Sequence, residues 1–241
     1  MSLKEIKHYL SLVFVKSVFN LRSETSKNYL SYAWWLIEPL MHMSAYYLVF
    51  GVFLDKGGKE YVIYLLTGLI PWLWISRTIS HSSQSMLWGR QLMNQMYIPT
   101  IFFPMVCVVQ NFFKQLIVLF LLVFLVYYLD TLVISWSLLW LIPVILVQLS
   151  FIFSIAIIAA LLVPFFRDLS IVIPTLMQFT MFASGVFFDT NEVPENLQNL
   201  FYLNPVASIL SFYRDILMYS SGVNIFQLVW VIFITICFML I

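Results

Sequence analysis

Three ionisable side chains, Glu38, Arg77 and Lys114, stand inside stretches of sequence that are otherwise apolar. A charge within lipid costs a few kcal/mol, so such residues mark function or a buried pair by default. Counted at about 1.5 Å per helical residue, they lie about 12, 16 and 15 Å from the inner ends of their segments, in one common layer. The spacing predicts that Glu38 pairs with Arg77 or Lys114 and leaves one cation to line a polar passage. A structural ion pair, with the second cation snorkelling inward, uses the same residues more plainly. Ser76, Ser80, His81 and Gln84 extend a polar stripe beside Arg77, and Gln110, Asn111 and Gln115 do so beside Lys114. Such stripes face protein or water, and they serve a passage or helix-to-helix adhesion alike.

Catalytic chemistry finds little support. His8, His42 and His81 stand about 35 residues apart with no second His or Cys at helical spacing, so no metal site is expected. No GxSxG, HExxH or glycine-rich phosphate loop occurs, and seven glycines leave no phosphate cradle. No catalytic residue is assigned and no cofactor is expected in this chain. An intramembrane enzyme would need two or more of Glu38, His42, Arg77, His81 and Lys114 to converge on one cavity. Cys107 and Cys237 are too few for a disulfide framework.

The elements that position these residues follow from composition. Of 241 residues, 62% are apolar, 18% aromatic and 10% charged, whereas an ordinary soluble domain has about 45–50% apolar and about 25% charged residues. That much grease needs lipid as its solvent. Twelve Lys+Arg against 11 Asp+Glu, a net charge of +1, provide no field for nucleic acid. The fold class is therefore all-α, a polytopic membrane protein. Six spans are expected, roughly 30 to 54, 61 to 88, 104 to 128, 137 to 163, 169 to 188 and 223 to 241, in one transmembrane domain covering 1–241. The run from Thr131 to Phe166 counts as one span, with a break or kink near Pro143.

Lys4, Lys7, Lys16, Arg22 and Lys27 precede the first span, Arg90 and Arg167 fall in the loops of that same side, and Lys56, Lys59 and Arg214 fall opposite. The positive-inside rule then places both termini in the cytoplasm. The charges within residues 1–29 exclude a cleavable signal. The chain stops at Ile241 inside its last apolar run, so a few further residues are expected.

Residues 2 to 21 read as an amphipathic helix lying in the inner interface plane, or packed on a partner. Pro194 and Pro205 suit first turns, and Asn204 suits a cap. Two short helices, 194 to 202 and 205 to 219, form a re-entrant pair or an ordinary outer loop. Residues 89 to 99 read as a short connector that begins at a helix breaker, Gly89, and ends at Pro99. It is a docking knob for a cytosolic partner or a plain link. Trp34, Trp35, Trp72, Trp74, Trp136, Trp140 and Trp230 sit near span ends as an interface belt. Tyr46, Tyr47, Trp72 and Trp74 could instead stack on sugar rings along a path.

In order along the chain stand Leu30-Ser31-Tyr32-Ala33-Trp34-Trp35-Leu36-Ile37-Glu38-Pro39-Leu40, Tyr64 to Trp72, Leu92 to Pro99, Phe166-Arg167-Asp168-Leu169, Ala183 to Phe188, Leu203-Asn204-Pro205-Val206 and Tyr213-Arg214. This series resembles the membrane subunit of ABC exporters of the polysaccharide-export type, which serve lipid-linked O-antigen, capsule or teichoic acid. It departs from the usual pattern at Ser31, where glycine is common, and at Asn94, Gln95 and Thr100, where basic residues are common.

The resemblance implies an inner-membrane homodimer in contact with membrane lipids, two copies of a separate ATP-binding subunit that holds ATP and Mg, and a polymer passing between the two permease copies. It implies coupling to the ATPase through Arg90, Leu92, Met93, Asn94, Gln95, Met96 and Tyr97. A path would run past Trp34, Glu38, Tyr46, Tyr47, Trp72, Trp74, Arg77, His81 and Lys114, and an outer gate would hold Pro194, Asn204, Pro205, Tyr213 and Arg214. The rivals are a permease of the same architecture for drugs or small lipids, a passive channel working without an ATPase, and the intramembrane enzyme.

Overall fold

The computed structural model describes residues 3–26, 31–53, 58–95, 98–129, 136–188, 194, 198 and 201–240. The apolar runs form helices in the expected order: α1 (Leu3–Ser26), α2 (Ser31–Tyr46, continued by a π-helical stretch Tyr47–Phe53), α3 (Lys59–Gln95) and α4 (Phe102–Tyr128). A 3₁₀ turn (Trp136–Trp140) leads into α5 (Leu141–Leu162), followed by α6 (Leu169–Ala183), α7 (Pro205–Leu217) and α8 (Ile225–Leu240). No strand occurs among the described residues.

Helix α3 is the axis of the bundle. Every residue from Ile63 to Ile75 is buried, as a helix apolar all round must be. Around it pack α2, α4, α5, α6 and α7, with α8 outside α5 and α7. Pro71 lies in this buried stretch, where it removes one ladder donor. The Gln148 amide of α5 donates to the Pro71 carbonyl at 3.0 Å, and the Tyr213 hydroxyl of α7 donates to the Gln148 carbonyl oxygen at 2.6 Å. Gln148 and Tyr213 are fully buried, so this chain of bonds keeps three helices satisfied where water is absent.

Among the described residues, four helices are long and apolar enough to cross a membrane: Ala33–Phe53, Lys59–Gln95, Phe102–Tyr128 and Trp136–Leu162. Two shorter apolar helices, Leu169–Ala183 and Ile225–Leu240, stand where the fifth and sixth spans were expected. In the fourth, the change from 3₁₀ to α backbone falls at Leu141, and Pro143 sits in the first turn of α5, where its missing donor leaves no gap in the ladder.

Three expectations change. Gly89 does not end a helix: α3 continues through it to Gln95, 37 residues in all, which is about 55 Å against a hydrocarbon layer of about 30 Å. A Cβ at Gly89 would stand 2.2 Å from the Phe103 ring, so the glycine serves close helix approach. The amino-terminal helix, expected in the interface plane or on a partner, packs along α4 of the same chain. Its contacts climb along α4, from Tyr9 against Phe102 (ring centroids 5.9 Å), through Ser17 donating to the Val106 carbonyl at 3.2 Å, to Glu24 against Lys114. That is about 18 Å along α4, driven by a polar stripe on each helix.

The third concerns the segment before the last span. Helix α7 starts as expected, with Asn204 Oδ1 accepting from the Val206 amide at 3.0 Å and Pro205 at the first position. It is no surface loop: Val206–Leu210, Phe212–Arg214, Ile216 and Leu217 are all buried. The expected helix 194 to 202 falls mostly outside the described residues, where Pro194 is exposed and the Tyr202 amide donates to the Gln198 carbonyl at 3.2 Å.

Candidate functional site

A groove of about 300 Å³ lies between α2, α3 and α6. Helix α2 contributes Glu38, His42 and Tyr46 at successive i, i+4 positions, a single face of the helix. Trp72, Ser76, Arg77, Ser80 and His81 do the same from α3, and Pro174, Gln178 and Met181 come from α6. The Trp72 indole donates to the Thr180 hydroxyl of α6 at 3.4 Å, and the Tyr46 hydroxyl meets the Met181 sulfur at 3.6 Å. Tyr46 also packs on Phe187 with ring centroids 4.7 Å apart, which fixes the floor at one end.

Five of the nine sequence-derived path residues therefore meet here: Glu38, Tyr46, Trp72, Arg77 and His81. The other four do not. Trp34 is 45% exposed, and the Tyr47 ring covers Gly51, where a Cβ would come within 2.7 Å of it. Trp74 and Lys114 line a small void between α3 and α4 with Trp35, Asn111 and Gln115, and Arg77 borders that void as well. Arg77 and Lys114 thus share one layer and border the same small void, with Arg77 lining the groove as well.

The predicted ion pair forms with Arg77, whose Nη2 lies 2.9 Å from Glu38 Oε1. No cation is left over. The Lys114 ammonium donates to both oxygens of Glu24, at 2.6 and 2.7 Å, and stands 5.4 Å from the centre of the Trp35 ring. Lys114 is 8% exposed, so leaving its charge unpaired would be costly and α1 supplies the counter-ion. The Gln110 amide also donates to Glu24, at 3.0 Å. Sequence reasoning treated Glu24 only as one of the charges within residues 1–29 that exclude a cleavable signal, and missed its role. The signal was present: Ser17, Asn20 and Glu24 form one stripe on α1, and Val106, Gln110 and Lys114 a matching one on α4.

At the other end of α3, Tyr213 and Arg214 of the expected outer gate are buried in the core, while Asn204 and Pro205 are half-buried at the start of α7. Arg214 Nη2 donates to the Gly185 carbonyl at 2.7 Å and its guanidinium carbon lies 3.6 Å from the centre of the Tyr64 ring. A Cβ at Gly68 would stand 2.6 Å from that nitrogen, and Gly185 holds φ +69°, so two glycines make room for one arginine. The Tyr64 hydroxyl donates to the Gly185 and Phe188 carbonyls. Arg214 was counted as an outer loop charge; only 6% of it is exposed. Next to it, burial pushes the Asp215 carboxyl up to about 6, with the Arg214 charge opposing.

Of the coupling residues, Arg90, Leu92, Met93, Asn94 and Gln95 form the last turns of α3, with Arg90, Asn94 and Gln95 exposed. Met96 and Tyr97 lie outside the described residues.

Glu38, His42, Arg77 and His81 do converge on one cavity, the geometry an intramembrane enzyme would need. Among the described residues, no group of three or more His, Cys, Asp or Glu side chains could hold a metal ion. Arg77 occupies one oxygen of Glu38, so the arrangement supplies hydrogen-bonding walls and aromatic faces more readily than a free base.

Comparison with known proteins decides between these uses. Two proteins from Klebsiella pneumoniae, each named O-antigen export system permease protein RfbA, are similar to this chain. One is 27% identical over 213 residues, 88% of this chain and 82% of its own length. The other is 26% identical over 240 residues, 98% and 91%. A protein of the same name from Myxococcus xanthus is 25% identical over 217 residues, 88% and 82%. The family model described as ABC-2 type transporter matches residues 20–218, which takes in α2 to α7 with both ion pairs and the Arg214 clasp. With a polar groove inside an apolar bundle and that match over most of its length, this chain is a membrane transport subunit rather than an enzyme, and it belongs to the ABC-2 type transporter family.

Proposed function

We propose that this chain is the permease subunit of an ATP-driven exporter that carries lipid-linked polysaccharide, of the O-antigen kind, across the inner membrane. The observation that carries the reading is the groove between α2, α3 and α6. It combines aromatic faces at Tyr46 and Trp72 with hydroxyl, amide and imidazole groups at Ser76, Ser80, Gln178, His42 and His81. Flat rings with polar neighbours suit pyranose units, whereas a drug or lipid path would be aliphatic throughout. The names of the relatives point the same way.

In this reading two copies face each other and the polymer passes between them, since the three helices around one groove enclose only about 300 Å³. The chain spans the membrane six times with both termini in the cytoplasm. The burial of Arg214 supports that orientation, because it removes one basic residue from the outer loops and sharpens the positive-inside asymmetry. The exposed end of α3, Arg90 to Gln95, seats in a separate ATP-binding subunit that supplies ATP and Mg, while α7 and the segment before it form the outer gate.

Co-expression with the ATP-binding subunit encoded beside it tests the proposal. The expected result is a stable complex of two permeases and two ATPases whose hydrolysis rises with lipid-linked glycan. Absence of any complex, or a purified chain that is complete as a monomer, overturns it.

A further inference from the structure

The groove has no spare charge, and this bears on what passes it. Glu38 and Arg77 are the two formally charged side chains among the described residues that line it, and they neutralise each other at 2.9 Å. The next cation, Lys114, is not among the residues lining the groove and is held by both oxygens of Glu24 at 2.6 and 2.7 Å. What remains along the wall is uncharged capacity for hydrogen bonds at Ser76, Ser80 and Gln178, two imidazoles, and the rings of Tyr46 and Trp72.

We propose that the groove selects uncharged glycans, so that the exported polymer is built of neutral sugars and polymers with a carboxylate or phosphate in each repeat are rejected. The inference rests on the reading of this groove as the wall of the polymer path. Hydroxyl groups of a neutral sugar exchange water for serine, glutamine and imidazole partners at little net cost. An anionic repeat must either enter the groove with no counter-charge or break Arg77 away from Glu38, which then leaves the glutamate unpaired. Either route repeats at every unit of the chain, so the penalty recurs throughout transport. Glu38 and Arg77 are in this sense specificity-determining residues. The pair keeps polar character in the wall without leaving an attraction for either sign of charge.

The test uses the complete complex with its ATP-binding subunit in lipid nanodiscs. Two probes share one lipid carrier: an oligosaccharide of neutral hexoses, and its match in which one hexose of each repeat is a hexuronic acid. The neutral probe is expected to stimulate hydrolysis, and the acidic probe to do so at least about tenfold less, a factor that an uncompensated charge in a low-dielectric groove exceeds. Glu38→Gln, which frees the guanidinium, is expected to raise the response to the acidic probe relative to the neutral one. Arg77→Gln, which frees the carboxylate, is expected to lower it further. Equal stimulation by the two probes, or a ratio unmoved in both variants, overturns the neutral-glycan inference while leaving the path in place. If neither probe stimulates a complex that hydrolyses ATP, the path reading fails and takes this inference with it.

Discussion

Lys114 shows how a buried charge recruits a partner from a distant part of the chain. Glu24→Gln is expected to destabilise the protein by about 1–3 kcal/mol, less than the about 3–5 kcal/mol of a fully buried broken pair, because the Glu24 side chain is 45% exposed. The exchange Glu24→Lys with Lys114→Glu should recover most of the loss, as read by thermal unfolding in detergent, while either single reversal should not. Sequence reasoning identified Lys114 as a charge in need of an explanation and Arg77 or Lys114 as the partner for Glu38. It overlooked Glu24 because a pairing across 90 positions depends on which helices become neighbours. At the outer end, Gly68→Ala should displace the Arg214 guanidinium from the Gly185 carbonyl, since the new methyl would sit 2.6 Å from Nη2. A lower melting temperature is expected, and Arg214→Lys should not substitute, because an ammonium cannot lie flat on the Tyr64 ring while reaching the carbonyl.

Single helices are the parts most legible in the sequence. Asn204 and Pro205 mark the start of α7 because capping and a fixed φ are local properties, and the structure has that cap. Gly89 misled for the opposite reason: a glycine inside a helix weakens it locally, yet packing against Phe103 outweighs that cost. Gly89→Val is expected to push the end of α3 from the start of α4, lowering export while membrane insertion, followed by protease protection, stays intact. Asp215 on α7 gives a pH signature. Its carboxyl is raised from 3.8 to about 6, so folding favours the protonated form. The penalty for ionising it is absent below about pH 4 and complete above about pH 6, so stability falls as pH rises through that window. Asp215→Asn should flatten this part of the stability profile, and an unchanged slope would assign the pH dependence to another group.

For the molecule as a whole, the length of α3 connects the two ends of the function. One continuous helix carries the groove residues Trp72 to His81 in its middle and the exposed residues Arg90 to Gln95 at its end. A displacement of that end therefore reaches the groove through a rigid element rather than through a loop. Replacing residues 93–96 by Gly-Ser is expected to uncouple hydrolysis from export, with export falling within the about 5–150-fold range of typical coupling free energies while ATP turnover persists. Unchanged export would remove the docking role from this segment.

Composition and period were sufficient to establish a helical membrane protein, the order of its spans and the start of α7, because apolar run length and capping are decided within a few turns of chain. The ordered landmarks also carried the family, which the match over residues 20–218 bears out. Partner choice was another matter. Which carboxylate neutralises Lys114, which carbonyl holds Arg214, that α1 climbs α4 and that four of nine path residues face away from the groove were all decided by the tertiary structure. Lipid makes every helix face acceptable so long as it is apolar, so the sequence pattern says little about neighbours. Only when the helices assemble do the few polar groups, each too costly to leave unpaired, settle which faces meet.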